Sequence, residues 1–297
     1  MNVAARDSIR GRLLFDEPMS KHTSWRLGGP ADRYYVPANL KDLQAFLAGL
    51  DDAIELLWVG LGSNLLVRDG GYRGQVVAPL NALREIRLQE DGNLYVECGV
   101  SCARLAKYCQ KQGLAGADFF AGIPGTVGGA LAMNAGAFGG ETWAAVERVI
   151  MIDRRGSLIE RSPQDFEIGY RKVALPQSEW FAAALFRFAP LATDATSNIR
   201  QLLRQRNATQ PIGLPSCGSV FKNPPGKYAA QLIEAAGLKG YCLGTACVSD
   251  MHANFIISSE ATTARDVEAL IEYIRRTVAD RFGVELETEV RIVGEAL

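Results

Sequence analysis

The chain has 297 residues, 48% hydrophobic and 22% charged, which is enough apolar material to bury more than one core and to form two or three subdomains. Lys plus Arg number 32 against 33 Asp plus Glu, a net charge of −1, and this excludes the broadly basic face that duplex nucleic acid demands. Two histidines leave little for a His-based triad or for metal-bound water, and six cysteines without Cys-x-x-Cys spacing read as free, mostly buried thiols with no metal.

Residues 1–15 alternate Arg6, Asp7, Arg10 and Arg12 with single apolar residues and lack the apolar core of a signal peptide. No apolar run approaches a membrane span, so the expectation is a cytoplasmic protein without membrane insertion. Asn39 is placed to cap a helix whose inner face is Leu43, Phe46, Leu47 and Leu50. The run 54–59 then reads as a strand leading into Gly60-Leu61-Gly62-Ser63-Asn64-Leu65. A Rossmann turn needs a third glycine where Leu65 stands, and 66–74 carries three glycines and no helical period. A phosphate here is therefore expected on loop amides, Ser63 and Asn64 rather than on a helix N-terminus.

Strands are expected at 74–78, 83–88 and 93–98, the last two joined by the turn 89–92. Ser101 can cap a helix with Leu105, Tyr108 and Cys109 inside and Gly113 as its stop. The segment 122–140, Gly-Ile-Pro-Gly-Thr-Val-Gly-Gly-Ala-Leu-Ala-Met-Asn-Ala-Gly-Ala-Phe-Gly-Gly, is dense in glycine, which lets backbone N–H groups approach a ligand with no Cβ in the way. Ile123, Val127, Leu131, Met133 and Phe138 are interleaved as anchors, unlike a Gly/Ser linker. The stretch reads as a packed cradle for something flat or phosphorylated.

Further strands are expected at 146–153, 157–160, 181–188, 253–257 and 284–293, with a boundary in the small, polar stretch 190–198. Consecutive strands separated by turns suit antiparallel hairpins, so the class is α+β. Thr263 and Asp266 form a capping box for a last helix, whose stripe Val267, Leu270, Ile271, Ile274, Val278 and Phe282 ends at Gly283.

Three places carry candidate chemistry. Ser219 lies at a bend beside Lys222 and Asn223; a cation near it would suit a hydroxyl that donates a proton, and the bland alternative is a turn serine bonded to its own backbone. Gly169-Tyr170-Arg171 offers an arginine fork suited to a carboxylate. In 284–293, alternation puts Glu285, Glu287, Glu289 and Arg291 on one strand face, by default a solvated edge.

In this order, Gly28-Gly-Pro-Ala31, Gly60 to Val67, Gly122 to Gly129, Met133-Asn-Ala-Gly136, Gly169-Tyr-Arg171, Gly218-Ser-Val-Phe-Lys-Asn-Pro224, Ala235 to Gly240, His252-Ala-Asn-Phe255 and Glu289-Val-Arg291 closely resemble the UDP-N-acetylenolpyruvoylglucosamine reductases over nearly the whole chain. The resemblance implies an FAD-binding fold of the vanillyl-alcohol-oxidase type: a first flavin lobe over 1–80, a second over 81–198 and a C-terminal α+β substrate lobe over 199–297. It implies reduction of non-covalent FAD by NADPH as co-substrate, then reduction of the enolpyruvyl UDP-sugar to UDP-N-acetylmuramate for peptidoglycan, by a monomer or weak oligomer.

By the same resemblance Arg171, Ser219 and Glu289 are catalytic, with Ser219 the proton donor. Gly60, Leu61, Gly62, Ser63, Asn64, Leu65, Ile123, Pro124, Gly125, Thr126, Gly128, Gly129, Asn134, Ala135, Gly136 and Arg291 would meet the flavin. Tyr170, Lys222 and Asn223 would meet the substrate, and Arg204, Arg206 and Lys239 are candidates for its diphosphate. The span from Arg171 to Ser219 is too short for the tyrosine-bearing lid of the family's longer form, and Cys217 stands where a small residue such as alanine is expected. The alternatives are an oxidase of the same fold acting on an alcohol or lactone, disfavoured by the lack of an attachment histidine in 58–66, and a nucleotide-sugar binder without turnover.

Overall fold

The computed structural model describes residues 9–191 and 198–297. The expected boundary stretch 190–198 falls largely on 192–197, and the N-terminal reading partly on 1–8, both outside the described residues. The chain divides into two compact units, one of 1–14, 33–60 and 74–204, the other of 15–32, 61–73 and 205–297.

The first unit is built on a five-stranded antiparallel sheet in the spatial order Leu158–Arg161, Val146–Asp153, Glu179–Phe186, Leu94–Glu97, Ile86–Leu88. Alternation drives Val149, Met151, Phe181, Leu94 and Val96 into its core, where they are at most 4% exposed. Helix Cys102–Lys111 buries Leu105, Ala106 and Cys109 in the same cluster. Its cap is Ser101, whose hydroxyl accepts from Arg104 N at 3.3 Å, and helix Leu40–Ala48 is capped likewise by Asn39. The strand Leu56–Trp58 pairs parallel with Tyr72–Val77, Trp58 facing Val77, and delivers the chain to Gly60.

The second unit has its own core, formed by Trp25, Phe221, Ile233, Leu270, Ile274 and Val290 among others. Helix Ala264–Phe282 carries the expected capping box, and Gly283 ends it in the left-handed conformation at φ 62°. Asp69 adds a second cap, its carboxylate accepting from the amides of Ala264 and Arg265. Leu65–Val67 pairs parallel with Arg291–Val293.

Three expectations need correction. The strand over 284–293 is regular only at Arg291–Val293, because Val220 O accepts from both Glu289 N and Val290 N, and the chain then changes partners to Asn64–Val67. The shared face of four charged residues is therefore broken: Glu289 is half-buried while Glu285, Glu287 and Arg291 are exposed. Second, the cradle 122–140 contains a helix, Val127–Ala132, capped by Thr126. Third, the cysteines are not all free: Cys242 and Cys247 form a disulfide, because antiparallel pairing sets them directly opposite each other. The other four are buried thiols, as expected.

Candidate active site

In the first unit, Gly60 meets the cradle with no room to spare. A Cβ on Gly60 would lie 2.4 Å from Thr126 Oγ1, so only glycine allows this approach. Thr126 is itself fixed, its hydroxyl accepting from Gly129 N at 3.3 Å. The amides of Val127 and Gly128 bond the carbonyls of Val100 and Cys98, and Gly125 O accepts from Cys102 N. Ile123 is buried, whereas Pro124 and Gly129 are exposed. A Cβ on Gly129 would meet nothing closer than Thr126 Oγ1 at 3.6 Å. The loop is thus anchored on one side and open on the other.

Asn134 organises the end of this cradle. It is 3% exposed and sits at φ 46°, a region asparagine tolerates better than most residues. Its side chain donates to Glu141 Oε2 and Gly169 O and accepts from Trp143 N. Arg171, at the turn between the strands Glu167–Gly169 and Lys172–Ala174, also has positive φ, 53°. Its Nη1 donates to Asn134 O at 3.1 Å and its Nη2 to Gly136 O at 2.8 Å. Its guanidinium carbon lies 5.1 Å from the ring centre of Tyr170, which is exposed. A cation is thereby held at the rim of the loop made by Asn134, Ala135 and Gly136.

In the second unit, a Cβ on Gly62 would lie 2.0 Å from His22 O, and Gly62 O accepts from Ser24 N. Asn64 ties this loop to the C-terminal segment: its Nδ2 donates to Glu289 O and its carbonyl accepts from Arg291 N. Leu61 is exposed, Ser63 half-buried and Leu65 buried. Cys217 is a buried filler under the loop, its sulfur 3.5 Å from the carbonyls of Gly62 and Leu65, and burial pushes its thiol up to about 12, so it is chemically quiet.

Ser219 and Glu289 lie in this second unit, in adjacent segments. Phe221 bridges Thr288, Glu289 N donates to Val220 O, and Lys222 N donates to Glu287 O. Asn254, of the His252-Ala-Asn-Phe255 motif, clamps the segment: its side chain accepts from Phe221 N and donates to Phe221 O, and its carbonyl accepts from Val220 N. Ser219 therefore follows Gly218, at φ 70°, on rigid backbone. Lys222 Nζ pairs with Glu287 Oε1 at 2.5 Å, and Asn223 Oδ1 caps helix Ala229–Ala235 through Ala229 N. Arg171 belongs to the first unit and Ser219, Lys222, Asn223, Glu289 and Arg291 to the second.

Comparison with known proteins decides the family. A curated UDP-N-acetylenolpyruvoylglucosamine reductase of Alkalilimnicola ehrlichii is 57% identical over 297 residues, covering 100% of this chain and 99% of its own. The chain belongs to the UDP-N-acetylenolpyruvoylglucosamine reductase family. A second reductase, of Methylococcus capsulatus, is 55% identical over 97% of this chain and 95% of its own. The family's C-terminal domain profile matches residues 210–293 and an FAD binding domain profile matches 31–162. The crystal structure of the reductase from Thermus caldophilus superposes with a TM-score of 0.80 at 29% identity, covering 96% of this chain and 99% of that one. The reductase is thus an FAD- and NADPH-dependent oxidoreductase of peptidoglycan precursor synthesis with an α+β fold that includes an FAD binding domain. Among the described residues no cluster could hold a metal, and no helix is long and apolar enough to cross a membrane.

The residues fit FAD. In the first unit's cradle Gly60 is forced by the Thr126 hydroxyl, while Gly129 is exposed and a Cβ there would meet nothing closer than 3.6 Å, which leaves an open face for a flat ligand. A Cβ at Gly129 makes only an ordinary contact, 3.6 Å from Thr126 Oγ1. We therefore expect Gly129→Val to purify folded, with a near-normal melting temperature, but largely colourless. Full flavin absorbance in that variant would show that the open face is not the cradle.

Proposed function

We propose that the reductase works through Arg171, Ser219 and Glu289, with the flavin held by Gly60 to Leu65, Ile123 to Gly129, Asn134 to Gly136 and Arg291. The enolpyruvyl double bond is reduced by hydride at its methylene carbon and a proton at the neighbouring carbon, so negative charge builds beside a carboxylate before the proton arrives. Fixed donors and cations are what this intermediate requires. Arg171 binds the carboxylate through its planar fork, Ser219 Oγ gives the proton to carbon, and Glu289 is the acid of the same stage. FAD, when bound, supplies the hydride it has received from NADPH. The absence of histidine from both glycine loops supports non-covalent binding.

The observation that carries this reading is the Phe221–Thr288 bridge, which holds the proton donor and the acid in neighbouring, rigid segments. Tyr170, Lys222 and Asn223 would line the substrate site. For the nucleotide end we infer the cavity of about 590 Å³ lined by Asn207, Gln210, Ile212, Leu214, Ser249 and Asp250 among others: apolar walls with a few amides, a hydroxyl and one carboxylate suit a base and ribose. Arg206 is half-buried beside it, its Nε donating to Gln210 Oε1, and burial lowers its pKa; a diphosphate would offset that cost. The reading extends to a cytoplasmic enzyme, where NADPH and nucleotide sugars are available, acting as a monomer or weak oligomer.

An anaerobic experiment tests it. NADPH should bleach the flavin absorbance, the enolpyruvyl UDP-sugar should restore it rapidly, and oxygen should do so only slowly. Rapid recovery with oxygen and none with the UDP-sugar would make the enzyme an oxidase instead.

A further inference from the structure

The disulfide Cys242–Cys247 belongs to none of the chemistry above. Its two residues face each other in the hairpin of Cys242–Leu243 and Ala246–Val248, which is held by only two residue pairs. The turn between them is tied down by Thr262 Oγ1, which donates to Thr245 O, and by Thr245 Oγ1 on Asp266. The second strand runs on as the cavity wall: Cys247, Val248, Ser249, Asp250 and Met251 all line it. Cys247 is half-buried and Cys242 is exposed to solvent, so an external thiolate has access to a sulfur of the bond. The remaining cysteines, 98, 102, 109 and 217, are buried, and desolvation raises the pKa of each thiol. Thiol chemistry is thereby confined to the one pair that braces a cavity wall. Because the bond closes a short loop already closed by hydrogen bonds, it adds less to global stability than a long-range bridge would. Its effect is local.

We propose that Cys242–Cys247 is a thiol-responsive latch on the wall of the nucleotide cavity, stiffening it when oxidised and loosening it when reduced. The proposal rests on the reading of that cavity as the nucleotide site. In the reducing direction a dithiol of the dithiothreitol or thioredoxin class supplies both electrons. Its thiolate attacks Cys242 Sγ, the S–S bond breaks with Cys247 leaving as thiolate, and the second thiol of the reductant displaces Cys242. The products are two protein thiols and one oxidised, cyclic disulfide. A wall that must then be ordered on binding carries an entropic penalty the latched wall does not.

Holoenzyme equilibrated with air is alkylated with N-ethylmaleimide before and after dithiothreitol, and UDP affinity is measured by calorimetry on both forms. Cys242 and Cys247 should be labelled only after reduction, and reduction should weaken UDP binding by about 5-fold or more. The Cys242→Ser/Cys247→Ser double variant should bind UDP as the reduced protein does and should not respond to dithiothreitol. Labelling of both cysteines without reductant, or equal UDP affinity of the two forms, would overturn the latch while leaving the cavity reading intact. UDP binding to neither form would overturn the cavity reading and the latch with it.

Discussion

Replacing Ser219 with alanine is expected to slow reoxidation of the reduced enzyme by the enolpyruvyl substrate by about 10²–10⁴-fold, the worth of a positioned general acid. Flavin content and the rate of bleaching by NADPH should stay near those of the parent. The separation is sharp because the backbone around Ser219 is held by Asn254 and by the pairing of 220–222 with 287–289, so losing one hydroxyl leaves the scaffold in place. Stopped-flow absorbance on each half-reaction checks it. Ser216→Ala, three residues upstream, is the control. Substrate-driven reoxidation at the parent rate in Ser219→Ala, or a defect that follows Ser216 instead, would assign the proton to another group.

Arg171→Lys should lower the substrate half-reaction by about 10²–10³-fold, comparable to removing a donor from an oxyanion site. Lysine keeps the charge, but it cannot satisfy the carbonyls of Asn134 and Gly136 and at the same time present a planar fork to a carboxylate. It must also occupy φ 53°, as arginine does, so backbone strain is the same in both proteins. Glu289→Gln, isosteric and uncharged, should fall in the same stage. The loss in both variants should appear in the rate at saturating substrate more than in the NADPH-driven stage. An equal loss in the two stages would mean that these residues hold the protein or the flavin rather than the developing charge.

How much of this could be read in the sequence depended on whether local chemistry determined the outcome. Asn39, Ser101 and the Thr263–Asp266 box announced their helices because a cap acts within four residues. The strands expected at 146–153 and 93–98, bounded by turn residues, are found at Val146–Asp153 and Leu94–Glu97. The helix Val127–Ala132 did not announce itself: Val-Gly-Gly-Ala-Leu-Ala has no polar stripe and two poor helix formers, and it exists because Thr126 caps it and Val127, Ala130 and Leu131 are buried. Residues 284–293 alternate like a strand, yet Val220 O takes two of their amides and breaks the period. The Cys242–Cys247 bond needed the hairpin register, which a five-residue separation does not specify. Among site residues, the glycines that a Cβ would obstruct, 60 and 62, were legible as loop positions. Asn134 and Asn254 act through backbone groups distant in the chain, and no spacing rule reveals such clamps.

The bond from Asn64 Nδ2 to Glu289 O spans 225 residues, and the neighbouring strand Leu65–Val67 has Arg291–Val293 as its one strand partner among the described residues. During synthesis the loop 61–65 leaves the ribosome long before that partner exists. The tie from Asn64 to Glu289 can form only after residues 289–293 have been made, since a contact of such separation has no partner earlier. A nascent chain stalled before residue 289 would expose an apolar strand, Leu65-Leu66-Val67, to whatever chaperone meets it first.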